Sequence, residues 1–206
     1  RLSSAAGVAL LRAAKAEGLP ITADVSINSL YLTDVDIGFF NPAMRLTPPL
    51  RQGSDRDALR AALADGTIDA LVSDHTPVEG DAKQLPFGEA EPGATGLELL
   101  LSLALKWGDD SGLALPTALA RVTSDPVRVL GDALGSLASS AGRLLVGGVA
   151  DVCVFDPATT WVVTPAALLS QGKHTPFAFD ATGFALPGRV RATLVAGTVA
   201  YEARPS

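Results

Sequence analysis

A short apolar run that ends in a polar cluster constrains this chain more than any other stretch. Residues 68–72 are predicted to form a buried β-strand, and Ser73-Asp74-His75-Thr76-Pro77 follows directly. The chain has two histidines, and His75 is one of them. A buried strand that stops at an Asp-His pair is how a β/α barrel presents catalytic groups at the C-terminal ends of its strands. The stretch therefore predicts a barrel-type α/β fold with a candidate site at residues 74 and 75.

Strand and helix patterns alternate through residues 1–140. Strands are predicted near 21–26, 44–48 and 68–73, and a long loop is predicted at 74–95. Four helices are predicted: from a Ser3 or Ser4 cap to Glu17, Asp55–Ala64 behind a Ser54 cap, Gly96–Lys106, and Pro116–Val129 with a break near Pro126. Repeated strand–loop–helix units are typical of a parallel sheet. A closed barrel needs eight strands, so residues 1–140 are predicted to supply about its last four β/α units.

The pattern changes in residues 141–206. Strands of alternating type are predicted at 151–156, 161–163 and 190–195, with a turn at Gly197. These signals favour a small antiparallel β module. Cys153 is the single cysteine, which excludes an intrachain disulfide and a multi-cysteine zinc site. Because it stands in an apolar run, Cys153 is predicted to be a small core residue.

Charge and hydropathy exclude several classes of partner. The net charge is −6, so no basic stripe is available for nucleic acid. No apolar run reaches the roughly 18 residues that span a bilayer, and no signal peptide opens the sequence, so no membrane partner and a cytoplasmic location are expected. The sequence begins with Arg1 rather than Met, and we expect a fragment of a longer chain. The missing amino-terminal segment, or a second copy, is then expected to cover the exposed strand edges.

Nine short blocks, in this order and spacing, resemble the carboxyl-terminal half of a dihydroorotase of the amidohydrolase superfamily. The blocks are Leu-Thr-Asp at 32–34, Pro-Pro-Leu-Arg at 48–51, Asp-Arg-Asp-Ala-Leu at 55–59, Asp-Gly-Thr-Ile-Asp-Ala at 65–70, Ser-Asp-His-Thr-Pro at 73–77, Gly-Leu-Glu at 96–98, Ala-Asp-Val at 150–152, Thr-Pro-Phe at 175–177 and Val-Ala-Gly-Thr-Val at 195–199. The resemblance implies the interconversion of carbamoyl-aspartate and dihydroorotate in pyrimidine synthesis. It also implies a metal-bearing β/α barrel beside a β-sandwich made from both chain ends. The amino-terminal half, with its His-x-His metal pair, and a further histidine ligand just before Arg1 would then lie outside this sequence.

The sequence departs from the family pattern where that pattern binds metal and substrate. The family's Thr-Pro-His-His is replaced by Ser26-Ile27-Asn28-Ser29, so the resemblance implies that its metal-binding histidine is lost. Thr47 stands where the family has a substrate-binding asparagine. In the family's Asp-His-Ala-Pro-His motif, Asp74 is retained but the second histidine is Val78. By resemblance, Asp74 would be the metal partner and general base.

Two hypotheses follow from the resemblance and its departures. The first is a dihydroorotase-like protein without turnover and without a cofactor, which serves as a structural partner of aspartate transcarbamoylase. The alternative is an active zinc-dependent dihydroorotase, or a related cyclic amidohydrolase, whose remaining ligands lie in the missing half.

Each candidate residue also has a structural interpretation. Asp74 is either the remnant of a catalytic base, and the metal ligand if any metal binds, or a strand-end carboxylate held by the next loop. His75, Thr47 and Gly93 are candidates for substrate binding, and a backbone N–H near Gly93 could meet an anion. They could equally serve only the fold. The acidic loop at 79–91 is either a lid or a solvated loop, and His174 is predicted to be a structural residue of the β module.

Overall fold

The computed structural model describes residues 1–178 and 183–203. By packing, the chain forms two units, the first made of Arg1–Leu100 with Val162–Phe184 and the second of Leu101–Trp161 with the residues from Ala185 onward. This division by packing differs from the predicted sequence division at 140/141, which stays a prediction. Among the described residues, no helix is long and apolar enough to cross a membrane.

The first helix begins where the sequence offers its cap. The Ser4 hydroxyl accepts a hydrogen bond from the Gly7 N–H at 3.2 Å, and α1 spans Ala5–Ala16. Val8 and Leu11 lie on one face of the helix and are buried. The predicted first helix is therefore confirmed.

Two short parallel strands position the candidate site in the first unit. Strand β1 spans Asp24–Ser26 and pairs in parallel with β2, Ala70–Val72, with Asp24 opposite Ala70. Leu2 forms an isolated parallel bridge to Val25 on the other side of β1. The strands predicted near 21–26 and 68–73 are confirmed in shortened form, and their parallel pairing was also predicted.

The strand predicted near 44–48 is wrong. Pro42–Met44 form a 3-10 helix, and the Arg45 N–H donates to the Pro42 carbonyl at 3.1 Å. The following prolines at 48 and 49 have no N–H to give to a ladder. Because the Arg45 N–H bonds within the segment and the prolines have no N–H, the segment does not form a strand of the sheet.

Two further helices complete the larger segment of the first unit. Helix α2 spans Ile27–Tyr31 and follows β1 without a loop. Helix α3 spans Gly53–Ala64 and packs against α1 and α2, and its Leu59 and Leu63 are buried. Its N-cap is Gln52, so the predicted cap at Ser54 is wrong, because the helix has already begun there.

The second unit contains most of α4 and two shorter helices. A 3-10 turn at Leu97–Leu99 precedes α4, Leu100–Asp110, so the predicted helix begins and ends later than expected. Helices α5, Leu115–Ala120, and α6, Ser124–Leu130, are separate. Their break lies before Pro126 rather than at it. Pro126 is the third residue of α6, where an N–H would have no partner within the helix.

The second unit also carries a three-stranded sheet in the order β3-β4-β5. Its strands span Val152–Val162, Ala185–Val195 and Thr198–Glu202. Strands β4 and β5 are antiparallel and joined by a turn at Gly197, whose φ is 80°, as predicted. The two strands predicted at 151–156 and 161–163 are one strand, which passes through Pro157. A proline is tolerated there because β3 is an edge strand in this sheet.

Cys153 was predicted to be buried, and that prediction is wrong. Its side chain is exposed on β3. Both Cys153 and its neighbour Val154 are exposed on this edge strand, so an apolar sequence run does not ensure burial.

Candidate functional site

Asp74 lies just beyond the end of β2 and is held by a cation from another part of the first unit. Its backbone is in the left-handed region, with φ at 51°, which is uncommon for a residue with a side chain. Its side chain is 11% exposed, and Oδ1 accepts a hydrogen bond from Nη1 of Arg1. The Nε of the same guanidinium donates to Oδ1 of Asp24 at 2.7 Å. One arginine therefore joins the carboxylate at the end of β2 to the carboxylate that begins β1.

His75 is anchored by backbone groups. Its Nδ1 accepts hydrogen bonds from the N–H groups of Gly96 and Leu97 at 3.2 and 3.3 Å. Because Nδ1 acts as an acceptor, the neutral ring carries its proton on Nε2. The imidazole therefore fixes the start of the 3-10 turn at Leu97–Leu99 to the end of β2, and its Nδ1 is already engaged.

Gly96 allows this close approach. A Cβ at that position would lie 2.3 Å from the carbonyl oxygen of Ser73, which is far inside van der Waals contact. The segment around Gly96 therefore lies directly on the backbone at the end of β2, and only a residue without a side chain fits there.

Gly93 makes a second close approach to the same loop. A Cβ there would meet the carbonyl oxygen of Thr76 at 2.5 Å, and its φ is 147°. The Thr76 N–H donates to the Ala94 carbonyl at 2.8 Å, while the Gly93 N–H donates to the Arg45 carbonyl at 3.0 Å. The backbone donor that the sequence offered for an anion at Gly93 is thus used within the chain.

The remaining predicted site residues contribute little chemistry where they lie. Asn28 and Ser29 are buried in the first turn of α2, and the Asn28 N–H donates to the Ser26 hydroxyl at 3.2 Å. Thr47 is exposed. Val78 is buried, with 6% of its surface exposed, beside Gly93. Asp74, His75, Gly93 and Val78 therefore lie in one region around the end of β2.

These residues do not fit a zinc site by themselves. Zinc in proteins is held by imidazole, carboxylate or thiolate groups, usually three or four together. Here the Asp74 carboxylate pairs with Arg1, and Nδ1 of His75 accepts two backbone N–H groups. Across residues 1–178 and 183–203, no group of three or more His, Cys, Asp or Glu side chains is arranged to hold a metal ion. A guanidinium beside Asp74 also repels a dication.

His174, which the sequence division assigns to the β module, packs in the first unit. Its carbonyl accepts a hydrogen bond from the Thr95 N–H at 2.7 Å. Its segment lines a cavity of about 710 Å³ formed by residues 77–81 and 170–174. Glu98 holds the start of this segment, since its carboxylate accepts the N–H groups of Leu169 and Ser170 at 2.8 and 2.7 Å. The sequence pattern offered no signal for this role of Glu98 beyond its place in the Gly-Leu-Glu block.

The acidic loop at 79–91 is pinned by a buried lysine. The Nζ of Lys83 donates to the carbonyls of Pro42 and Arg45 at 3.2 and 3.0 Å, and 5% of the residue is exposed. Burial, with a smaller contribution from the charge of Arg45, lowers the pKa of Lys83 to about 8. The loop is thus tied to the segment that precedes Thr47.

Comparison with curated proteins finds close relatives along nearly the whole chain, although no protein-family model matches it. A dihydroorotase-like protein of Pseudomonas aeruginosa is 43% identical over 202 residues. A dihydroorotase of Syntrophus aciditrophicus is 38% identical over 201 residues. Both alignments cover 98% of this chain and 45% of the relative. The chain therefore spans about half the length of the curated relatives it matches.

Solved structures of related architecture include hydantoinases. An L-hydantoinase (dihydropyrimidinase) from Arthrobacter aurescens is 29% identical with a TM-score of 0.84. A D-hydantoinase (dihydropyrimidinase) from a Thermus species is 25% identical with a TM-score of 0.82. Each match covers 98% of this chain and 44% of the solved chain. Both neighbours belong to the amidohydrolase superfamily, which agrees with the mixed α/β structure.

Proposed function

Because almost the whole chain is similar to about half of dihydroorotases and dihydroorotase-like proteins, we propose that it is part of a dihydroorotase-like protein of pyrimidine biosynthesis that has lost turnover. We further propose that this protein acts as a structural partner of aspartate transcarbamoylase. The observation that carries the loss of turnover is the engagement of Asp74 by Arg1. The residue that would serve as base or metal ligand already has a cationic partner within the chain.

We propose the corresponding finer description of the fold. Residues 1–140 are the carboxyl-terminal half of a β/α barrel, and residues 141–206 are part of a β-sandwich. The parallel pairing of β1 and β2 supports the first assignment, and the antiparallel β4–β5 pair supports the second. Both strand ends that bear candidate residues then face the rim where such barrels place their sites.

The chemistry of the reaction explains why the substitutions matter. Opening a cyclic amide requires a strong nucleophile, which a metal ion generates from water at neutral pH, and a base that moves the proton. Asn28 and Ser29 are poor zinc ligands, and Asp74 is paired with Arg1. Neither the nucleophile nor the base is then provided by the described residues.

An active zinc-dependent dihydroorotase or related cyclic amidohydrolase is the second candidate. The retention of Asp74 at the end of β2 favours it, as does the 38% identity with a dihydroorotase. This candidate requires the metal ligands to come from sequence outside this chain. It also requires the Arg1–Asp74 pair to open.

Turnover by the full-length protein separates these two candidates. We expect no dihydroorotate hydrolysis and no carbamoyl-aspartate cyclisation above the uncatalysed background when zinc is supplied. Zinc-dependent turnover would contradict the first candidate and support the second.

The transcarbamoylase partnership has its own test. We expect the full-length protein and aspartate transcarbamoylase from the same organism to co-elute from a sizing column at micromolar concentration, in a peak larger than either alone. The matched control is the same mixture with an unrelated carbamoyltransferase. Separate elution of the two proteins would remove support for the structural role without bearing on turnover.

A further inference from the structure

Arg1 is placed by the sheet so that its side chain reaches two carboxylates. The Leu2 N–H donates to the Asp24 carbonyl at 2.9 Å, and Leu2 bridges Val25 in parallel. This register places Arg1 beside Asp24, which itself lies opposite Ala70 on β2. Asp74 lies two residues beyond the end of β2, and the Arg1 side chain reaches its carboxylate from this position.

The guanidinium fits this position better than a simple ammonium would. It has five N–H donors in a planar fork, and here Nε binds Asp24 while Nη1 binds Asp74. A lysine offers a single point charge and could not hold both carboxylates in a fixed geometry. Arg1 is 34% exposed, Asp24 is 33% exposed and Asp74 is 11% exposed, so the Asp74 contact is the less hydrated of the two.

Without Arg1, the two carboxylates that it binds would lose the cation that they share. Two carboxylates bound to one guanidinium repel each other when it is removed, and the effect is larger at the less exposed Asp74 because water screens it least. Among the described residues, Arg1 is the cation within ion-pair distance of Asp74. The stability of this part of the first unit therefore depends on a positive charge at that point.

We infer that Arg1 is the resident cation of the Asp24–Asp74 pair, and that it occupies the place at Asp74 that a metal ion would otherwise require. Asp74 is then a structural anion rather than a metal ligand or a base. The inference deepens the proposed loss of turnover and rests on it. Its test measures stability and metal content rather than turnover. The inference about Arg1 and the proposed loss of turnover can therefore fail independently.

The first arm of the test is thermal unfolding of the full-length protein, with residues numbered as here. The variants are Arg1→Met, Asp74→Asn and the double variant. The matched control is Arg12→Met, which removes a guanidinium from the exposed Arg12–Asp65 pair at 2.6 Å. We expect Arg1→Met to lower Tm by about 2–4 °C and Arg12→Met to lower it by less than about 1 °C.

The double variant decides whether the two residues act on each other. We expect its Tm to be no lower than that of Arg1→Met alone, since removing the Asp74 charge also removes the repulsion. Fully additive losses, or an Arg1→Met effect equal to that of Arg12→Met, would overturn the inference. Arg1→Lys keeps the positive charge but not the planar set of N–H donors, and we expect it to lower Tm by less than Arg1→Met. This variant keeps the test informative if Arg1→Met does not fold.

The second arm measures metal at Asp74 directly. Wild type and Asp74→Asn are incubated with cobalt(II), desalted and analysed for bound cobalt. We expect equal cobalt content in both, because Asp74 holds none. One cobalt per chain in wild type that is lost in Asp74→Asn would overturn the inference.

Discussion

Lys83 brings its ammonium group into a site made of carbonyl oxygens rather than carboxylates. Its Nζ donates to the carbonyls of Pro42 and Arg45, and burial lowers its pKa from 10.5 to about 8. Between these two pH values the unfolded chain binds the proton more tightly than the folded chain. The free energy of unfolding that Lys83 contributes therefore rises as the pH increases through this window, because the cost of burying the charge disappears.

This gives a pH-dependent prediction. The stability of wild type relative to Lys83→Met should increase by about 1 kcal/mol between about pH 7.5 and about pH 9.5, with allowance for solvent screening. Chemical denaturation at several pH values measures it. The matched control is Lys106→Met, which removes the same charge from an exposed pair with Asp110 at 3.2 Å and should change less over this range. A relative stability that falls with pH would contradict the assignment.

Individual site residues were predicted only where the neighbouring sequence indicated them. Asp74 and His75 were found because they follow a buried run. Arg1 was not, since its role depends on the bridge from Leu2 to Val25 and on a carboxylate 73 positions away. The burial of Lys83 in an acidic loop was missed for the same reason. Long-range contacts carry no local signal.

The segment that approaches the end of β2 depends on a glycine. Gly96→Ala would place a Cβ 2.3 Å from the Ser73 carbonyl oxygen and displace the N–H that binds Nδ1 of His75. We expect a loss of about 1–3 kcal/mol in the free energy of unfolding. The matched control is Gly53→Ala at the first residue of α3, where nothing lies within 4 Å and no loss is expected. Equal effects at the two positions would contradict the close packing described for Gly96.

Elements with a complete local signal were predicted best. Helix α1 has a capping serine, an apolar face and a terminating glycine, and it was placed within one or two residues. The segment at 44–48 looked like a strand from composition, but the Met44 and Arg45 N–H groups bond locally and Pro48 has none. Strand β3 was split at Pro157, which its edge position tolerates. Whether a segment joins a sheet, and whether it lies at the edge, decides both outcomes. The order of residues along the chain does not show either property.

The relation to dihydroorotases was predictable for the molecule as a whole because many short blocks recur in order. The relatives at 43% and 38% identity confirm it. The division into two packing units was not predictable from the same blocks. Each unit combines two segments that are separated from each other in the sequence, and only tertiary contacts reveal such an arrangement.

The central claim is that the full-length protein has the architecture of a dihydroorotase without its turnover. The most direct measurement is the steady-state rate of dihydroorotate hydrolysis with added zinc, compared with the Syntrophus aciditrophicus dihydroorotase under the same conditions. We predict a rate equal to that of buffer alone, with no difference between wild type and Asp74→Asn. A zinc-dependent rate that Asp74→Asn abolishes would contradict the claim and identify Asp74 as a working catalytic residue.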